Sequence, residues 1–277
     1  MSRTATRTAP VLAELRLFLV ALQFLTRVPV PARMGWNPQW LHQSARHFPG
    51  VGALVGLVAA GVLWAVAHFF SAPVAVLLSM AATVWMTGAF HEDGLADTCD
   101  GLGGAVTRER ALAIMKDSRL GTYGAVGLLL VLALKAATLH SLATRDLAIA
   151  LATLPLAHAA SRAGAVVLLR FMPYGGDIEH AKAKPMAQQV DGRTLAIAAL
   201  WLVLVVAVAL HFIPATAVVA AGVAVVVVTA WMARWLHQRL GGYTGDGLGA
   251  TQQFSELAVY LAVAAILARG AGLMALA

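Results

Sequence analysis

The stretch Ala215–Ala233, ATAVVAAGVAVVVVTAWMA, runs for nineteen residues without a charged side chain. As an α-helix it would rise about 28 Å, close to the roughly 30 Å hydrocarbon core of a bilayer. Six further apolar runs of similar length occupy residues 51–70, 72–90, 122–141, 147–169, 194–213 and 254–275. Together they predict an all-α, polytopic integral membrane bundle of about seven transmembrane helices. Composition agrees: of 277 residues, 60% are hydrophobic and 12% charged, and the mean hydropathy is +0.78. Soluble domains carry about 45–50% apolar residues.

Before the first span, Leu12 to Val28 is interrupted by Glu14, Arg16, Gln23 and Arg27, so residues 11–28 read as a helix lying along the interface. Residues 1–10 read as a frayed tail. No composition break or long repeat divides residues 1–277, which points to a single domain. Cys99 is the only cysteine, so neither an intrachain disulfide nor a cysteine-built zinc site is available. The net charge of +7 reads as topology and not as nucleic-acid binding. Sixteen of the twenty Lys and Arg residues fall in the N-terminal segment or near the long connections 91–121, 170–193 and 234–253. That bias places the N-terminus and these connections in the cytoplasm and the C-terminus outside.

The acids cluster on the same side, most densely in His91-Glu92-Asp93-Gly94-Leu95-Ala96-Asp97-Thr98-Cys99-Asp100-Gly101. If the helix of the second span continues to about residue 100, Asp93, Asp97 and Asp100 share one face. Carboxylates so close repel one another unless a cation neutralises them, and Mg²⁺ does so with one or two carboxylates plus waters and phosphate oxygens. The bland alternative is a solvated helix end. Gly94 inside a helix costs about 1 kcal/mol relative to Ala, so it needs a reason, such as close approach of a ligand.

A second acidic element, Asp246-Gly247-Leu248, repeats the pattern of Asp93-Gly94-Leu95 and Asp100-Gly101-Leu102. It sits in a loop, residues 241–249, with five glycines, which would let backbone N–H groups approach an anion. Asp246 is a candidate fourth metal ligand, while Glu256 reads equally well as the mere start of a helix. Between the acids, Arg108 to Gly121 reads as an amphipathic interfacial segment with Lys116, Asp117 and Arg119 at its end, where cations could hold a pyrophosphate. For Arg108 and Arg110, topology and lipid contact suffice. Within the spans, Arg162 is a candidate for a buried substrate path, Lys135 could snorkel outward, and His158 reads as a hydrogen-bonded interior histidine. His91 could assist a metal, and Cys99 reads as packing.

At these residues the sequence resembles the cobalamin-5'-phosphate synthase family, also called adenosylcobinamide-GDP ribazoletransferases. The matching elements are Phe24-Leu25-Thr26-Arg27-Val28-Pro29-Val30-Pro31, Phe48-Pro49-Gly50-Val51-Gly52, the His91–Gly104 run, Glu109 to Gly124, and Thr244-Gly245-Asp246. The resemblance implies a multi-pass enzyme of the bacterial inner membrane, of the class that transfers substituted phosphate groups. Its implied reaction joins adenosylcobinamide-GDP to α-ribazole or α-ribazole 5'-phosphate and releases GMP. Asp93, Asp97, Asp100 and Asp246 would hold Mg²⁺ and serve catalysis, and Lys116, Asp117, Arg119 and Arg162 would meet substrate. A homo-oligomer stays open.

Two other classes fit less well. A CDP-alcohol phosphotransferase needs Arg after the alanine where this chain has Ala96-Asp97. A transporter keeps its key polar residues near the midplane, whereas these acids sit at one edge. The topology predicts that a reporter fused after Ala277 is active only outside the cytoplasm and one in the 170–193 loop only inside it. The reverse pattern of activities would overturn the orientation.

Overall fold

Apolar sequence with few breakers folds here into helix almost throughout. The computed structural model describes residues 10–31, 37–104, 107–176 and 190–274; the frayed tail expected over 1–10 falls outside them except for Pro10. Among these residues the only β-type contact is an isolated bridge between Tyr174 and Tyr243. The helices are α1 (Pro10–Leu25), α2 (Pro38–Ser44), α3 (Phe48–Val66), α4 (Ala72–Thr87), α5 (Phe90–Gly103) and α6 (Arg108–Met115). Then follow α7 (Thr122–Arg145), α8 (Leu147–Phe171), α9 (Gly192–Ala209), α10 (Ala215–Leu240) and α11 (Gly245–Met274). Six helices are long and apolar enough to cross a membrane, and α4 with α5 makes a seventh if the bent pair is one span. The expected membrane bundle of about seven spans is what forms.

The centre of the bundle is α8, whose apolar window is 72% buried against 17% for the peripheral α9. It can be central because α3 lies against it on glycines. A Cβ on Gly52 would strike the His158 carbonyl, and one on Gly56 would strike the Leu154–Pro155 backbone. This small-xxx-small spacing lets two backbones approach where helices have no hydrophobic drive to associate. The N-terminal helix α1 is too short to be one of the spans. It buries Leu17, Ala21, Leu22 and Leu25 and leaves Val11, Leu12 and Leu15 exposed, the two-faced pattern expected of an interfacial helix. Glu14 ties it down through Arg46 (3.0 Å), His47 (3.1 Å) and Arg193 (3.0 Å).

Two departures from the sequence reading bear on function. The second span does not run straight through its acids: α4 stops at Thr87 and α5 leaves at 88° to it. Gly88 (φ 69°) and Ala89 (φ 59°) both adopt the left-handed conformation, closing α4 through Gly88 N–H to Trp85 O (3.3 Å) and Ala89 N–H to Val84 O (2.9 Å). The last span begins at Gly245, nine residues before the apolar run at 254. Its first turns hold Thr251, Gln252, Gln253, Ser255 and Glu256, all buried, so a polar stretch that hydropathy assigns to a loop is interior helix.

The bend makes opposite predictions for adjacent residues. In Gly88→Ala the new Cβ meets both the left-handed strain of about 1 kcal/mol and the Arg27 side chain, so thermal stability in detergent should fall. Ala89→Gly removes the same strain and should leave stability unchanged or raised. Equal loss from both would show that the left-handed pair does not set the bend.

Candidate active site

Two helix starts from distant parts of the chain meet glycine on glycine. A Cβ on Gly94 of α5 would lie 2.9 Å from the Asp246 carbonyl oxygen and 3.0 Å from its Cα, and one on Gly249 of α11 would lie 3.3 Å from the Gly94 Cα. Gly94 is therefore explained by the backbone of α11, not by a ligand. The crossing sets Asp93 and Asp97, one turn apart on α5, beside Asp246 in the first turn of α11. All three line one cavity of about 560 Å³, together with Lys116, Arg162 and Gln252. Phe24, Leu25, Phe48 and Leu169 line its apolar side. The cavity gathers residues from all three long connections, which were assigned to a single side of the membrane.

Of the remaining glycines of the 241–249 loop, Gly242 and Gly247 also pack tightly. Gly241 (φ 75°) closes α10, and Gly242 lies against the Pro173 backbone. There Tyr243 N–H donates to Pro173 O (2.9 Å) and Gly175 N–H to Tyr243 O (2.8 Å). Gly245 alone of these lines the cavity with open space where a Cβ would be. Thr244 accepts from Gly247 N–H (3.0 Å) and so caps α11, whose N-terminal dipole favours an acid at Asp246. Burial pushes the Tyr243 hydroxyl up to about 12, so this cavity wall stays neutral and protonated.

Asp100 goes elsewhere. Its two oxygens accept from Gly121 N–H (2.7 Å) and Gly124 N–H (2.8 Å), capping α7, whose own N-cap is a glycine without a side chain. Asp100 shares a helix with Asp93 and Asp97 but does not line the cavity with them. Among the cations and their neighbours, Lys116 and Asp117 line the cavity and Arg119 does not. The Arg119 side chain is 87% exposed and folds back on Asp117, with Nε 3.0 Å from both carboxylate oxygens. Those hydrogen bonds hold the Asp117 carboxyl down to about 2. Arg108 is more than a topology residue: it donates to Leu240 O (2.9 Å) and Gly175 O (2.9 Å), clamping α6 to the loops that frame the cavity.

Behind the cavity lies a polar network that the sequence did not disclose. Glu256, twelfth residue of α11, meets Lys135 of α7 at 2.5 Å and Tyr260 at 3.0 Å. Gln252 donates to Glu256 (2.6 Å) and to Ser161 of α8 (3.1 Å), and Gln253 donates to Glu92 of α5 (3.0 Å). Lys135 is 5% exposed and does not snorkel; Glu256 does not begin a helix. His158 is hydrogen-bonded and interior, as read. Arg162 is 2% exposed; its Nη1 donates to His158 O (3.0 Å), and its Nε has no partner.

A profile of one family, described as cobalamin-5-phosphate synthase, matches residues 17–264. The chain belongs to this family. It is similar to adenosylcobinamide-GDP ribazoletransferase of Leptothrix cholodnii, at 60% identity over 91% of this chain and 96% of the relative. The like-named proteins of Shewanella amazonensis and Vibrio cholerae are 46% and 42% identical, over 90% and 92% of this chain and 94% and 95% of theirs. No solved structure matches. The chain is accordingly an enzyme, a transferase of cobalamin biosynthesis.

For this cobalamin synthase family member the geometry makes two stability predictions. Ala in place of Gly94 would gain about 1 kcal/mol of helix propensity, but overpacking against backbone costs about 1–3 kcal/mol. Gly94→Ala should therefore destabilise, and a gain in melting temperature would disprove the close crossing. Asp100→Ala should cost about 1–2 kcal/mol through the lost α7 cap. An unchanged melting temperature would contradict the capping role.

Proposed function

We propose that this chain transfers the cobinamide-bearing phosphate of adenosylcobinamide-GDP to a ribose hydroxyl of α-ribazole or α-ribazole 5'-phosphate, giving adenosylcobalamin or its 5'-phosphate. The hydroxyl oxygen bonds to the phosphorus attached to cobinamide and gives up its proton to a carboxylate of the cavity wall, the anhydride bond to GMP breaks, and GMP leaves with the electron pair of that bond. The observation that carries this reading is the gathering of opposite charges on the wall of one cavity. Asp93, Asp97 and Asp246 line it from two chain segments, and Lys116 and the buried Arg162 line it too.

The donor set fits Mg²⁺. Among the described residues no three His, Cys, Asp or Glu side chains form a ready ligand cage, and Mg²⁺ needs none, taking one or two carboxylates with waters and phosphate oxygens. Two of Asp93, Asp97 and Asp246 would hold it with waters and phosphate oxygens, and Asp100 is left to α7. The chemistry such an ion would supply there is neutralisation of charge on the phosphate oxygens. Arg162 supplies a fixed donor to the same phosphates, since its unpartnered Nε gains a charge-assisted hydrogen bond only from an acceptor in reach. Lys116 adds a second positive charge, at the mouth where Asp117 and Ser118 also line the wall. In this reading the cavity opens to the cytoplasm of a bacterial inner membrane, in line with the basic bias of the long connections.

The test is a double-mutant cycle on the rate of GMP release at saturating Mg²⁺. Asp97→Ala and Asp246→Ala should each cost about 100-fold or more, and the double variant much less than the product, because groups acting on one transition state are non-additive. Losses that multiply would separate the two aspartates into independent sites. No turnover of adenosylcobinamide-GDP with α-ribazole by the unmodified protein would overturn the reaction itself.

A further inference from the structure

Arg162 and Glu256 are both buried, lie on packed helices, and yet make no ion pair. The Arg162 Nη1 and the Glu256 Oε2 each stand 3.4 Å from the same atom, Nδ1 of His158. The imidazole separates them. The carboxylate is instead engaged by Lys135 at 2.5 Å, by Gln252 at 2.6 Å and by Tyr260 at 3.0 Å. Lys135 also donates to Gln253 Oε1 (3.0 Å), so its ammonium is fixed from two sides. Among the described residues Arg162 has no acidic partner within ion-pair distance, and its Nε is unpartnered. Lys135, His158, Glu256, Tyr260 and Glu92 line a second, water-sized cavity of about 10 Å³. Arg162 and Gln252 line the large one. His158 and Glu256 therefore stand between the two chambers.

We infer that Lys135 is a positioning residue whose ammonium holds Glu256 off Arg162 and so keeps the guanidinium available to a phosphate-bearing ligand in the large cavity. This rests on the reading of Arg162 as a phosphate contact. The physical reason is charge pairing at low dielectric, where an unpaired carboxylate is costly and takes the nearest cation. With Lys135 present, that cation is Lys135. Without it, the nearest permanent cation is Arg162, on the other side of the His158 imidazole. A guanidinium captured by Glu256 would be neutralised as an anion site before substrate arrives. Lys135, which lines the small cavity and not the large one, thereby acts on substrate affinity.

The experiment uses the full chain in lipid nanodiscs and measures kcat and KM for adenosylcobinamide-GDP. Lys135→Met should raise KM about tenfold or more, the loss of one charge-assisted contact, with a smaller change in kcat. Lys135→Arg should keep KM near the unmodified value. Lys135→Met combined with Glu256→Gln should bring KM back to within about threefold, because the competing carboxylate is gone. A merely structural role for Lys135 predicts no such rescue, and a double variant as impaired as the single one overturns the inference. If Lys135→Met alone is not recovered folded, the charge-balanced double variant decides: a KM as high as that of Arg162→Gln refutes the proposal. Arg162→Gln separates the two levels of argument. Unchanged KM in that variant would remove Arg162 from the phosphate site, whereas raised KM there with none in Lys135→Met would remove only the role of Lys135.

Discussion

A charge inside a bilayer must find a partner, and in this protein that constraint organises the last helix and everything packed on it. Three side chains within five residues of α11 reach three different helices: Gln252 to Ser161 of α8, Gln253 to Glu92 of α5, and Glu256 to Lys135 of α7. In water such bonds would each contribute little, since solvent competes for every donor. Within the membrane an unsatisfied alternative is far more costly, so the rotation and depth of α11 are fixed by its polar side chains as much as by packing. Replacing one of them leaves its partner stranded.

With α11 held in that register, Gly249 comes to face Gly94, and the cavity wall follows. Small residues at the crossing let α5 and α11 approach backbone to backbone, and the acids on either side of the contact converge without any loop having to carry them. The left-handed pair Gly88 and Ala89 has the complementary role. By turning α5 through 88° from α4, it lays the acidic helix across the bundle end instead of letting it project into solvent. The strain in Ala89, of order 1 kcal/mol, is held by the contacts that α5 makes with α7 and α11.

The apolar spans were legible because hydropathy reports directly on what faces lipid. The expected starts at 72, 122, 147, 194 and 215 agree with the helices to within two residues. What hydropathy reports badly is a helix whose interior face is polar. Gln252, Gln253 and Glu256 therefore read as loop, and both the start of α11 and the partner of Lys135 were missed together. Arg162 stood out because a lone cation in an apolar run is conspicuous, whereas the Glu256 partnership needed a helix that the pattern did not offer. For Asp100 the spacing placed it on the right helix, but the N–H donors of Gly121 and Gly124 that it caps lie 21 and 24 residues further on. The signal that could have found this was the glycine at the start of a long helix, which supplies no cap of its own.

The depth of Arg162 also bears on why such polar chemistry is handled at a membrane. In water a guanidinium attracts a phosphate weakly, since both are well solvated and the dielectric constant screens them. Here Arg162 is 2% exposed, four residues from His158 on the central helix and held by that residue's carbonyl. That carbonyl fixes the guanidinium, and a fixed charge acts most strongly on a developing negative charge. A soluble domain of this size could bury one arginine only by surrounding it with protein on all sides. The helices packed around α8 bury Arg162 in that way here, while it still lines the large cavity. The apolar side of the cavity, with Phe24, Phe48 and Leu169, lies against the same charged wall, so a ligand there meets a low-dielectric surface and a fixed charge at once.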